Sequence, residues 1–184
     1  MSVALRMPRL ILREWRDEDV EPFAAMSGDP EIMRYLVGFA DRAAVEAWIA
    51  ATRRHWQTHD FGQWAVELPG CGFIGVVGLN WVRFQLPFAP AVEAAWRLAR
   101  PFWGRGYAYE AAHAAIEDGF LRLGIADIVA FTVPANRPSW GLMERLGMSR
   151  DPREDFDFIH PRLPPGHPLR RHVLYRLRCA ESEA

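Results

Sequence analysis

The chain has 184 residues, half of them apolar and 24% charged, with a formal net charge of −1 at pH 7. That is enough chain to bury a sizeable core in one domain, so a single domain over residues 1–184 is expected. A balance so close to neutral argues against nucleic-acid binding by the whole chain through counterion release. No stretch approaches the roughly 20 apolar residues that a membrane helix needs.

In chain order, Arg9-Leu-Ile-Leu-Arg13 suggests a short strand, and Asp17 to Ser27 an amphipathic helix carrying Val20, Phe23, Ala24 and Met26. Pro30 restarts a helical turn through Met33. Asp41 stands at an N-cap position before a helix from Arg42 to about His59, with Ala44, Val45, Trp48, Ala51 and Thr52 as its apolar face. Gln63–Leu68 and Gly72–Trp81 form a hairpin across Pro69-Gly-Cys-Gly72. Leu86–Pro90 is an irregular loop. Ala91–Ala99 is a strand that alternates Val92, Ala94, Trp96 and Leu98 with Glu93 and Arg97 on the opposite face. A helix then runs from about Gly106 to the C-cap Gly124. Its apolar set is Ala108, Ala111, Ala112, Ala115, Ile116 and Phe120.

Ile128–Val133 is a β-branched run expected to be a buried strand. Pro138 suits the first turn of a helix that ends at Leu146 before the C-cap Gly147. Asp151–Pro168 holds five prolines and forms a long loop, with room for a short strand at Phe156–Ile159. Arg171–Arg178 closes the chain as a strand, and its arginines, with Arg170, suggest a solvated face. Cys71 and Cys179 lie far apart and outside any Cys-x-x-Cys pair, so neither a zinc knuckle nor a disulfide frame is expected. Met1–Arg13 lacks the apolar run of a signal peptide. The expected compartment is the cytoplasm.

The informative stretch is a strand, then Arg100-Pro-Phe-Trp-Gly-Arg-Gly-Tyr-Ala108, then a helix. Gly104 and Gly106 permit a tight turn and close approach of backbone to a ligand. The N–H groups of Arg105 to Ala108 fall at a helix start, where they lack intrahelical partners and the helix dipole favours an anion. A dinucleotide fingerprint needs a further glycine or alanine in register, and a P-loop ends in Gly-Lys-Ser/Thr; Gly104-Arg-Gly-Tyr-Ala-Tyr109 has neither. Past the next strand comes Asn136-Arg-Pro-Ser139, a helix, and Leu146-Gly-Met148.

Trp103-Gly-Arg-Gly-Tyr-Ala108 with Glu110-Ala111, followed by Asn136-x-x-Ser139 and Leu-Gly-Met, resembles the GCN5-related N-acetyltransferase (GNAT) superfamily. The opening Arg9-Leu-Ile-Leu-Arg13-x-Trp15, with Asp19 entering the first helix, is similar to its Rim-type branch of ribosomal-protein N-terminal acetyltransferases. Trp103 departs from the Gln or Arg common in the superfamily and fits that branch. The resemblance implies an α/β (α+β) fold, a mixed sheet whose central strands splay apart to take the arm of acetyl-CoA. By the same resemblance, Leu98, Ala99 and Arg100 pair with the pantetheine arm like an added strand. Gly104, Arg105, Gly106, Tyr107 and Ala108 hold the pyrophosphate, and Asn136 bonds the arm.

The implied reaction is direct attack of an amine on the thioester. The amine must lose a proton, and the leaving sulfur must gain or share one. Ser139 matches a serine at the sulfur, Glu93 is the first candidate base, and Asp157 is a second. Each has a structural alternative: a capping hydroxyl for Ser139, a partner of Arg97 or Arg105 for Glu93, and a solvated loop charge for Asp157. His55 and His59 share a helix face without a third ligand, so no metal is expected. His160, His167 and His172 flank the proline-rich loop. The acceptor is a primary amine, either a peptide N-terminus or a small molecule, its determinants expected in Met26–Phe39 and Arg150–Arg170. A non-catalytic acyl-CoA-binding sensor or scaffold is the rival, and a homodimer is left open.

Overall fold

The computed structural model describes residues 4–39, 41–82 and 85–179. The strands β1 (Leu5–Arg6), β2 (Ile11–Arg13), β3 (Gln63–Leu68), β4 (Gly72–Trp81), β5 (Val92–Leu98), β6 (Asp127–Thr132), β7 (Ser149–Arg150), β8 (Phe156–Asp157) and β9 (Arg171–Arg178) make one sheet in the order β1-β2-β3-β4-β5-β6-β9-β7, with β8 paired to β9. Every neighbouring pair is antiparallel except β5 and β6. A parallel pair needs a crossover, and the helix α4 (Tyr107–Leu121) supplies it. The other helices are α1 (Val20–Gly28), α2 (Pro30–Met33), α3 (Arg42–His59) and α5 (Arg137–Arg145).

The alternation of β5 decides the two sides. Val92, Ala94 and Leu98 pack with Ala111, Ala112, Ala115 and Ile116 of α4 and with Leu142 and Met143 of α5. The small alanines of α4 let that helix lie close to the sheet. On the other face, Phe23 and Met26 of α1, Ile32 of α2, and Val45 and Ile49 of α3 cover Ala65 and Val76. A third cluster on that face joins Val129, Phe156, Phe158, Leu163 and Leu174. Between the second and third clusters lies the β5–β6 junction.

Most expected elements recur, and the differences have local causes. The strand expected over Arg9–Arg13 keeps only Ile11–Arg13, because the Met7 N–H turns back onto Leu10 O at 2.9 Å. Asp41 caps α3 through Ala44 N–H at 2.8 Å, as its position implies. The buried face of α3 is Val45, Ile49, Thr52, His55 and Trp56, since its last turns roll onto the core beneath β2 and β3. The C-terminal arginines are not uniformly solvated: Arg176 is held by Asp127 at 2.5 Å and by Glu154 at 2.7 Å.

One buried ion pair ties the layers together. The Arg13 guanidinium donates to both carboxylate oxygens of Asp19 at 2.7 and 2.8 Å and to Glu67. Asp19, only 1% exposed, also accepts the Arg16 N–H at 2.7 Å. These contacts tie β2 and β3 to the start of α1, and they raise the already high Arg13 pKa, with the Asp19 hydrogen bond as the largest cause. Removing one partner of such a pair leaves an uncompensated buried charge. Asp19→Ala is expected to lower unfolding free energy by about 3 kcal/mol, measured by urea denaturation. A loss below about 0.5 kcal/mol would class the pair with surface ion pairs.

Candidate active site

β5 and β6 pair in register only at Val92↔Ile128 and Glu93↔Val129. Beyond Glu93 the two strands have no paired positions, although β5 runs on to Leu98 and β6 to Thr132. Ala99 N–H bonds Ile74 O at 2.9 Å, toward β4, so strand alternation turns the backbone groups of Ala94, Trp96 and Leu98 into the opening.

The expected backbone contacts at Leu98, Ala99 and Arg100 meet prior commitments. Leu98 O accepts the Trp103 indole N–H at 2.7 Å, Ala99 O accepts Phe102 N–H at 3.0 Å, and Arg100 O accepts Trp103 N–H at 3.1 Å. The free strand edge therefore begins further upstream, at Ala94.

On the β5 lip, the chain turns through Gly104 and Gly106 into α4. Both glycines have left-handed backbone, with φ +71° and +79°. At Gly104 a Cβ would meet nothing within 4 Å, so the surface of the loop there is open. Glu110 is the first α4 residue whose N–H finds a backbone acceptor, Gly106 O at 3.1 Å. The N–H groups ahead of it are left over, as at any helix start. Arg9 braces this turn from outside: it donates to Arg105 O at 2.9 Å and to Glu110 at 2.6 Å, and lies 4.7 Å over the Tyr107 ring. With the Arg105 carbonyl held by Arg9, the N–H groups of Arg105, Tyr107 and Ala108 are left without a backbone acceptor among the described residues. That donor cluster at a helix N-terminus suits a pyrophosphate.

On the β6 lip, Asn136 and Ser139 follow the strand at the entry to α5. Asn136 is the N-cap residue, but its side chain makes no cap bond and donates instead to Thr132 Oγ1 at 2.9 Å. The Ser139 hydroxyl has no hydrogen-bond partner among the described residues, so the capping alternative is not realised.

Glu93 sits at the point where the strands part. It forms no ion pair with Arg97 or Arg105 and has no hydrogen-bond partner among the described residues. Burial pushes its carboxyl up to about 7. Directly across the β4–β5 ladder stands Asn80, whose buried Oδ1 is also without a partner. Arg97 shares this face; burial lowers its guanidinium pKa to about 10.

Asp157 falls outside this group. It lies on β8 opposite Arg171, with a 59% exposed side chain and an ion pair to Arg171 at 3.5 Å. His172 is buried and stacks on Phe156 at 5.4 Å, with its pKa lowered chiefly by desolvation. No group of three His, Cys, Asp or Glu able to hold a metal stands among the described residues. The two expected acceptor segments do meet: Arg162 donates to Gly38 O at 2.5 Å, and Val37 packs against the cluster of Phe156, Phe158 and Leu163. The place of Asn80, the contacts of Arg9 and the bond from Trp103 to Leu98 had no signal in the sequence, because each depends on a partner brought in by the fold.

Residues 9–149 match the acetyltransferase (GNAT) domain family. The chain is 37% identical over 145 residues to the uncharacterized N-acetyltransferase YnaD of Bacillus subtilis (strain 168), covering 78% of this chain and 81% of that protein. Its fold matches the acetyltransferase from Agrobacterium tumefaciens str. C58 with a TM-score of 0.76 at 27% identity, covering 97% and 96% of the two chains. It also matches spermidine N-acetyltransferase from Vibrio cholerae, solved with CoA and spermine, with a TM-score of 0.70 at 18% identity over 94% and 96%. The chain belongs to the GNAT acetyltransferase family, whose members use acetyl-CoA.

Gly106→Val places a branched side chain at φ +79°, where the Arg9 guanidinium would lie 3.4 Å from its Cβ. The substitution is expected to weaken acetyl-CoA binding by about tenfold or more while the protein stays folded. Calorimetry on the folded variant checks this, and unchanged affinity would free the turn of any role in binding.

Proposed function

We propose that this protein transfers the acetyl group of acetyl-CoA to a primary amine, by direct attack within a ternary complex, as a relative of the Rim-type branch. The observation that carries this reading is Glu93: a desolvated carboxyl, unpartnered among the described residues, where β5 and β6 part. In this reading the Gly104–Ala108 turn holds the pyrophosphate through backbone donors, Arg105 among them. The pantetheine arm lies along the free edge of β5 from Ala94 toward Leu98, and the remaining amide oxygen of Asn136 accepts from it.

Chemistry then follows from the two lips of the opening. An ammonium cannot attack a thioester, so Glu93 takes its proton, directly or through a water that Asn80 helps to hold. The amine nitrogen bonds the carbonyl carbon, the carbon–sulfur bond breaks, and the nitrogen's second proton reaches the departing thiolate through the Ser139 hydroxyl, which gives its own proton as it takes that one. A carboxyl near 7 suits the role of base, being ionised often enough to accept a proton and basic enough to drive the transfer. Asp157, exposed and paired with Arg171, is a weaker candidate. Peptide N-termini and small amines are the acceptor classes to screen, since structures of similar fold include a spermidine N-acetyltransferase and a ribosomal-protein-S5-alanine acetyltransferase. Cys71 and Cys179, which form no disulfide, fit a reducing cytoplasm.

The sign of the pH effect is set by the raised Glu93 pKa of about 7. The base is protonated below that value and ionised above it, so kcat/KM should rise as pH passes upward through it. Glu93→Gln is expected to lose about 10²–10⁴-fold at pH 7 and much less at high pH, where free amine is abundant. A variant profile parallel to the parent at every pH would remove Glu93 from the reaction, and a large pH-dependent loss in Asp157→Asn would move the role there.

Ser139→Ala is expected to reduce kcat with little change in the KM for acetyl-CoA, the signature of an interaction made in the transition state. An unchanged kcat, with or without lost thermal stability, would leave the hydroxyl a structural group.

A further inference from the structure

Four residues beyond Glu93 on the same face of β5, Arg97 is a cation without an anion among the described residues. Its guanidinium lies 5.2 Å from the Phe23 ring centroid and 5.7 Å from that of Phe39. Its one hydrogen-bond acceptor among the described residues is the Met33 sulfur, at 3.4 Å, and a thioether is a weak acceptor. No carboxylate of the described residues comes within ion-pair distance. Asp29, which opens α2, instead accepts the Glu31 N–H at 2.9 Å and faces Arg100 at 3.7 Å.

Two other largely buried arginines are treated differently. Arg13 has Asp19 and Glu67, and Arg176 has Asp127 and Glu154. A guanidinium withdrawn from water without a counter-charge is costly, so its retention among aromatic rings calls for an anion that arrives from outside. The cofactor's anionic part is not that anion. The pyrophosphate turn leads into α4, which packs on the opposite face, beneath Val92, Ala94 and Leu98. Arg97 instead faces α1 and α2, the side on which Glu93 also lies.

We infer that Arg97 anchors an oxyanion, a carboxylate or a phosphate, borne by the acceptor amine itself. The planar guanidinium fork matches both groups bidentately, while Phe23 and Phe39 hold it in place by cation–π contact. With Glu93 and Arg97 Cα atoms about 13 Å apart along an extended strand, an acceptor engaging both places several bonds between its amine and its anion. The inference rests on the acetyl-transfer reading for the identity of the ligand as an amine.

The test uses the full chain loaded with CoA and matched ligand pairs, each an amine that carries an oxyanion and its mate without one. The pairs are 6-aminohexanoate against 6-aminohexanamide, and 2-aminoethyl phosphate against ethanolamine, titrated by calorimetry. The parent should bind at least one oxyanion-bearing ligand about tenfold or more tightly than its mate without the oxyanion. In Arg97→Met the ratio should fall to near one, and in Arg97→Lys to an intermediate value, since a point charge replaces a fork. Arg97→Met keeps an apolar side chain between the rings, and its folding is checked by thermal melting. Should it fail to fold, the parent ratios and Arg97→Lys still decide.

A parent ratio near one for both pairs, or an undiminished ratio in Arg97→Met, overturns the inference. CoA release with each acetyl acceptor is scored in parallel. Acetyl transfer without charge preference removes Arg97 as the anchor and leaves the transferase reading standing. Charge-selective binding with no acetylation of any amine does the reverse.

Discussion

β5 and β6 are the only parallel neighbours among the described strands, and they stay in register for just two residues before they part. A strand edge left unpaired in a sheet interior carries unsatisfied N–H and C=O groups, which are costly unless something supplies partners. Here the opening is bordered by two helix entries, the glycine turn into α4 on one lip and the Asn136–Ser139 turn into α5 on the other. The unpaired edge, the left-over helix donors and the serine hydroxyl all border one slot because two adjacent strands diverge.

The rest of the molecule holds that divergence rigid. Arg13 with Asp19 and Glu67 locks the β2–β3 side of the sheet to α1, so the helical layer over Arg97 is fixed. Arg9 reaches from the stretch before β2 to the Arg105 carbonyl and Glu110, bracing the turn into α4. Trp103, 46% exposed, bonds the Leu98 carbonyl back across the same turn. Ion pairs at exposed positions stabilise little. The value of the Arg9 contacts lies in orientation, since they hold still the backbone of the turn that enters α4.

On the face opposite α4, charge is left uncompensated among the described residues. There Glu93 is desolvated and unpaired with its carboxyl raised, Asn80 faces it with an unsatisfied oxygen, and Arg97 is desolvated with its pKa lowered. Opposite charges on one strand face would ordinarily neutralise one another. Four residues of extended chain keep these two apart, so each remains available to a ligand. Strained electrostatics of this kind concentrate at functional sites.

Local order was legible in the sequence. The hairpin across Pro69–Gly72, the Asp41 cap, the alternation of β5 and the glycine turn before α4 all follow from spacing and turn chemistry, which act over a few residues. Resemblance at Trp103–Ala108 and Asn136–Ser139 extended this to the family. Other decisions belong to the folded chain alone. Whether Glu93 meets Arg97, whether Asp157 is buried, and whether Ser139 caps its helix depend on groups brought together across strands and helices. So does the contact of Arg9 with Glu110, 101 positions along the chain. Periodicity specifies which face a residue occupies. Only the packed sheet decides what stands opposite it, and with that the burial, the missing counter-charge and the proton affinity on which the chemistry rests.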